Sequence, residues 1–322
     1  MKLRIIAVIS FLFLIAGCDT NAPVKEDMDP PRLPEPTEFT VVEVPDSIKD
    51  KVKARGEQEN AVPELIVESP KEGETIESST VKVKIRIAGD LKGYKMGKAE
   101  DGTGNHVHVI LDNQPYAAHY MWDEGFELRN VTDGEHTLRM FPSRPWHQSY
   151  KNEKAFAIVK FTVKNGKANE AKPTTDDKGT KLADAKKPEG TDVKDSNAGD
   201  VDLSKPLLTY SRPKGTYKGD DVKAIMIDFW LSNAKLKGDG GKYMVSYSIN
   251  GGPAKMIEKW EPVWVSGWKP CKNTVKLQLV DKNGKEITNG GYNSTIREIR
   301  VNPETCPPDI QKQDLQKEKD TK

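Results

Sequence analysis

Histidine carries the most chemistry in this sequence. All five histidines of the 322-residue chain, His106, His108, His119, His136 and His147, fall in one stretch. His106 and His108 are spaced i,i+2, so on a strand both imidazoles project from the same face. A turn at Asp112-Asn113 places His119 opposite His106, and a turn at Asn113-Gln114 places it opposite His108. A three-residue turn would break the set. Cross-strand spacing of about 5 Å lets two or three imidazole nitrogens converge on Zn²⁺ or copper. Met121, two positions beyond His119, adds a soft donor suited to Cu(I). The competing reading is a plain polar strand face. Val107, Val109 and Leu111 alternate with the pair and are assigned to the core, which leaves the imidazoles on the outer face, towards water. His136 opens a strand and reads as structural. His147, in Arg144-Pro145-Trp146-His147, belongs to a loop, where contact residues concentrate.

Tryptophan supplies a second candidate surface. Trp260, Trp264 and Trp268 recur every four residues, and Pro262 and Gly267 argue against a helix there. On a strand the three share one face and form an aromatic platform of the kind that stacks on sugars. The alternative places one or two of them in the core. Phe126 answers Trp264 in an earlier copy of the same pattern, which favours the core for that position. The candidate ligand contacts are therefore Trp146, His147, Trp260 and Trp268. No Gly-x-Ser-x-Gly, His-Glu-x-x-His or phosphate-binding glycine loop is present, so the expectation is a protein that is not an enzyme. Fifty basic residues against 49 acidic ones give a net charge of +1, which offers no footprint for nucleic acid.

The elements that position these residues occur twice. Ser69-Pro70-Lys71-Glu72-Gly73 is matched by Ser211-Arg212-Pro213-Lys214-Gly215. Val81–Ile87 is matched by Val222–Ile227, Val107–Asn113 by Val245–Gly251, and His136–Arg139 by Asn273–Lys276. Trp122 corresponds to Trp260, and each copy closes on an alternating strand, 157–163 and 296–301. Each unit of about 100 residues holds some seven alternating runs split by turn residues, with no convincing helix; Asn250-Gly251 is a strong hairpin signal. This pattern resembles immunoglobulin-like or fibronectin type III-like domains, and the resemblance implies an antiparallel β-sandwich. The fold expectation is all-β, with two tandem sandwiches at 63–165 and 204–303. A disordered, aromatic-free linker is expected at 166–203, and a charged tail at 304–322. Hydrophobic content of 35% and charged content of 31% fit a chain with much material outside its cores.

At the N-terminus, Lys2 and Arg4 precede an apolar run from Ile5 to Ile15, too short to span a bilayer and suited to a signal peptide. Leu14-Ile15-Ala16-Gly17-Cys18 resembles the lipobox of bacterial lipoproteins. That resemblance implies a signal peptide over 1–17, acylation of Cys18 and a bacterial envelope location facing the periplasm. Asp19 favours the inner membrane under the rule known for enteric lipoproteins. Residues 18–62 are polar and rich in proline and read as a flexible stalk, interrupted by a strand near Phe39–Val44 and a short helix near Ser47–Arg55. Cys271 and Cys306 remain as an even pair that an oxidising compartment would bridge. The expected activity is non-catalytic binding or scaffolding, with the bilayer and an envelope protein as partners and no firm cofactor. Copper or zinc binding by the first unit and carbohydrate or peptidoglycan binding by the second are the alternatives.

Overall fold

The structure, a computed structural model, describes residues 38–121, 125–164 and 189–308. The signal peptide, Cys18 and Asp19, Trp122, and the tail from 309 onward lie outside the described residues. In chain order the strands are β1 (Thr40–Val42), β2 (Val62–Ser69), β3 (Glu74–Ile76), β4 (Val81–Asp90), β5 (His106–Leu111), β6 (Ala117–His119), β7 (Phe126–Arg129), β8 (Gly134–Ser143) and β9 (Ala157–Val163). They continue with β10 (Gly190–Asp192), β11 (Leu207–Arg212), β12 (Gly215–Tyr217), β13 (Ile225–Ser232), β14 (Met244–Ile249), β15 (Lys255–Ile257), β16 (Val263–Ser266), β17 (Cys271–Val280) and β18 (Ser294–Val301). Among the described residues one α-helix, α1 (Asp46–Arg55), runs into a 3₁₀ turn over Gly56–Asn60.

Two β-sandwiches result, each of a four- and a five-stranded sheet. The first pairs β10-β7-β4-β2 with β3-β9-β8-β5-β6, and the second pairs β1-β16-β13-β11 with β12-β18-β17-β14-β15. Apart from the added edge strands, β1 antiparallel to β16 and β10 parallel to β7, the copies correspond strand for strand, down to irregularities. Each opening strand carries a bulge, between Val67 and Ser69 or between Tyr210 and Arg212. Each is followed by a cis X-Pro bond, Ser69-Pro70 or Arg212-Pro213.

Strand β4 shows the simplest burial. Val81, Val83, Ile85 and Ile87 enter the core while Lys82, Lys84 and Arg86 face water, as period-two alternation requires. Strands β5, β8, β11 and β13 behave differently, because they are buried along both faces over most of their length. Their outer faces pack against each other where the two sandwiches meet. Phe141 stacks on Trp230 with ring centroids 5.9 Å apart, and Phe156 stacks on Trp230 at 5.2 Å. Arg139, fully buried, donates to Thr209 Oγ1 at 2.7 Å and to the Asp112 carbonyl. Lys151 reaches from the first unit to the buried Asp228 of the second at 2.7 Å. Such paired charges are what a desolvated junction tolerates.

Chain segments expected to lie apart from the sandwiches strap this junction. Over 38–62 the strand and short helix expected within the stalk are present as β1 and α1, but the expectation of a free stalk is corrected: β1 pairs with β16 of the second sandwich. Ile48 of α1 then packs with Trp146, Met226 and Trp264. Arg55 binds Asn105 Oδ1 and Tyr150 OH, each at 2.8 Å. The linker expectation for 166–203 is likewise corrected over 189–203. Here β10 adds a parallel strand to β7, and Ala198 and Val201 are buried with Leu207 and Tyr292. Short apolar residues within polar sequence were sufficient because the receiving surfaces already existed on the sandwiches. The tail expectation is corrected at its start, since Cys306 is buried and bonded to Cys271, with Cα atoms 5.5 Å apart. Replacing both cysteines by serine opens a loop spanning a sequence separation of 35. It is expected to lower unfolding stability by about 3–4 kcal/mol. An unchanged urea midpoint would show that the bond contributes nothing.

Candidate functional site

Strand β5 places His106 and His108 on its outer face, and the sandwich junction covers that face. Both imidazoles are fully buried, so the expectation that they face water is corrected. Opposite them on β8 stand Ser143 and Phe141. His147 arrives from the loop after β8, and three ring nitrogens converge. His106 Nε2 lies 3.0 Å from His108 Nε2 and 2.8 Å from His147 Nδ1, and the latter two are 3.3 Å apart.

His119 is not part of this cluster. Val107, not His106 or His108, lies across from His119. A turn does close between Leu111 and Gln114, with the Gln114 N–H donating to the Leu111 carbonyl at 3.0 Å. The pairing beyond it, Val109 with Ala117, is displaced by one residue relative to that turn. Because side chains alternate, one inserted residue sends His119 to the opposite face. There it stacks on Phe126 at 3.9 Å, with Glu189 Oε1 3.8 Å from its Nδ1. Met121 is exposed, 54% open to solvent, whereas His106 and His108 are fully buried. The same one-residue displacement recurs at Ile249–Gly252 and β15 in the second unit.

The position of His147 was the part that spacing could not reveal, and the duplicate explains it. The loop 144–148 and the loop 281–285 share one hydrogen-bond pattern: Arg144 N to Gln148 O matches Asp281 N to Lys285 O, both 2.9 Å. His147 therefore corresponds to Gly284. Both have left-handed backbone, with φ of 68° and 80°. The second unit fills this position with glycine, for which the conformation costs nothing, while the first holds an imidazole there against a steric penalty. Met244 and Ser246 stand in the second unit where His106 and His108 stand in the first. The scaffold does not demand imidazole at any of the three positions.

The electrostatics favour neutral rings. Burial holds His106 at about 4 against the Gly104 hydrogen bond that raises it, with Arg212 also lowering it. Burial, then Arg212, His106 and Lys214, holds His147 at about 2. Burial and the neighbouring His106, His147, Arg212 and Lys214 keep His108 well below the ordinary imidazole value. His106 Nδ1 lies 2.8 Å from the Gly104 carbonyl, which can only accept, so Nδ1 carries the hydrogen and Nε2 presents a lone pair. His108 Nδ1 is similarly engaged by Ser211 Oγ of the second sandwich at 3.2 Å. A second-nitrogen hydrogen bond of this type orients metal-binding histidines. With nitrogen separations of 2.8–3.3 Å, His106, His108 and His147 are close enough to hold one zinc or copper ion through bonds of about 2.0–2.1 Å.

The tryptophans form no platform, and the sugar-stacking arrangement is corrected. Trp268 is buried in the second core, its Nε1 donating to the Val265 carbonyl at 2.6 Å. Trp264 is buried on the outer side of β16 against Ile48 and Met226, beside Trp146. Trp260 is half-buried, edge-on to Trp230 at 4.9 Å. Trp146 is buried and donates to Gln148 Oε1 at 2.7 Å. Of the four candidate contacts, only His147 joins a cluster of potential ligands.

Buried neutral imidazoles also make stability depend on pH. In the folded chain, burial and then Arg129 hold His119 at about 4, below the unfolded value of about 6.5. Its contribution is in place above pH 6.5 and is lost as pH falls towards 4, because the unfolded chain binds the proton that the folded one refuses. His119→Phe, stacking on Phe126, is expected to flatten the acid limb of stability against pH by up to about 1.4 kcal/mol per pH unit. An identical slope in denaturant titrations of both proteins would contradict this.

No protein-family model and no curated protein matches the chain. Among solved structures, the fibronectin(III)-like modules of Clostridium thermocellum CbhA align at 10% identity, covering 74% of this chain and 93% of theirs, with a TM-score of 0.23. The D00-D0 domain of intimin aligns at 12% identity over 74% of this chain and 97% of its own, TM-score 0.19. The Bacteroides ovatus glucan-locus protein SGBP-B, in complex with a mixed-linkage heptasaccharide, aligns at 12% identity over 74% and 70%, TM-score 0.21. At these scores the likenesses carry no argument about function, and the paired sandwiches stand on the strand order described above.

Proposed function

We propose that this protein is a non-catalytic metal-binding module of the bacterial envelope, holding copper or zinc through His106, His108 and His147. The observation that carries the reading is the convergence of three imidazole nitrogens within 2.8–3.3 Å at a buried junction. His106 Nε2 is held as an acceptor by the Gly104 carbonyl on its other nitrogen, and in the tautomers that leave His108 Nε2 and His147 Nδ1 unprotonated all three lone pairs point at one place. A borderline metal ion satisfies all three, and imidazole donors suit zinc and copper. No thiolate or carboxylate joins the cluster among the described residues, which makes hard cations such as Ca²⁺ poor candidates.

Anchoring through an acylated Cys18 accompanies the reading and rests on the lipobox alone. The inner membrane follows only from Asp19. An envelope protein as partner is a further part of the proposal. The bridged Cys271 and Cys306 suit an oxidising compartment.

Titration of the purified protein with Zn²⁺ and with Cu²⁺ should give one site tighter than about 1 µM. His147→Ala should weaken it by more than the roughly 10–100-fold typical of losing a ligand's hydrogen-bond partner. His119→Phe should leave it unchanged. Absence of binding at that affinity, or equal loss in the two variants, would overturn the reading.

A further inference from the structure

We propose that Tyr116 is the fourth, anionic donor of this metal site, and that Arg212 of the second sandwich holds it in place. The inference rests on the three-histidine reading and specifies what completes it. Tyr116 ends the connection between β5 and β6, the connection whose extra residue turns His119 away. Its ring lies flat on His108, with centroids 3.6 Å apart and planes 13° from parallel. Its hydroxyl lies 3.4 Å from His147 Nδ1. The phenol oxygen thus stands beside one of the converging nitrogens.

Charge balance points the same way. Three neutral imidazoles around a divalent ion leave two positive charges at a desolvated site. The second sandwich adds two more cations beside it, Arg212 and Lys214, both of which contact Tyr116. Asp228, the buried carboxylate of that face, is already taken by Ser149 and Lys151. Both cations meet instead at Tyr116. Arg212 Nη1 donates to its hydroxyl oxygen at 2.8 Å, and Lys214 Nζ donates to its carbonyl while lying 4.4 Å from its ring centre. With the guanidinium occupying one acceptor direction, the remaining oxygen lone pair is free for a metal. On coordination the O–H bond breaks, its electron pair forms the oxygen–metal bond, and the proton passes to solvent. No electron is transferred. The scaffold does not need a phenol there, since the equivalent residue before β15 is Ala254.

The test is Cu(II) titration of the purified protein with visible absorption and resonance Raman detection. The expected result is a phenolate-to-copper charge-transfer band, with tyrosinate ring modes enhanced on excitation into it. Tyr116→Phe should abolish the band and retain weakened copper binding through the histidines. Arg212→Met should weaken binding by roughly 10–100-fold, as losing a ligand's partner does. Raman of the unmutated complex decides the point even if a variant does not fold. Copper bound without tyrosinate modes overturns the role of Tyr116 and leaves the three histidines standing. No copper bound at all overturns both.

Discussion

Desolvation of one sheet face governs this molecule. The outer face of β5 and β8 carries His106, His108, Thr137 and Arg139, a set that belongs in water on an isolated sandwich. The second sandwich covers it, and most polar groups there find a partner inside the junction, Arg139 Nε and Ser143 Oγ being exceptions. Arg139 finds Thr209 and backbone carbonyls, Thr137 finds Tyr292, and His108 finds Ser211. The three imidazole nitrogens find only one another and the Tyr116 hydroxyl. Burial also keeps the rings neutral, which is the state a metal needs. Fold, site and charge state follow from the same packing event.

Duplication made this arrangement possible. Two copies of one sandwich share their turns, bulges and strand order, but only one carries the donors. The second copy contributes the lid: Ser211 engages His108, and Arg212 and Lys214 fix Tyr116. One copy therefore holds the ligands while the other sets their electrostatic surroundings. The straps at 38–60 and 189–203 run across both sandwiches and stabilise the contact on which the site depends.

Much of the fold was legible in the sequence, because period-two alternation and internal repetition are local signals. Val81–Ile87 reads as a half-buried strand and is one. The structure pairs the same strands in both copies but moves the alignment at two places: Val81 answers Ile225 rather than Val222, and Phe126 answers Val263, so that Trp264 stands where the first copy has Glu127 and faces outward. The sandwich junction was not legible, since a face of His, Thr and Arg reads as solvated until something covers it. His106 and His108 were found by i,i+2 spacing. His119 was misplaced because the parity of a loop decides a strand's facing, and one residue reverses it. His147 gave a weak signal beside a proline, and its left-handed backbone became meaningful only next to Gly284.

X-ray absorption spectroscopy of the metal-loaded protein tests the central claim most directly, because it reports the atoms around the metal. The account predicts a first shell of nitrogen and oxygen at about 2.0–2.1 Å for zinc, with the outer scattering of three imidazole rings and no sulfur. A shell containing sulfur, or one with fewer than two imidazoles, would contradict it.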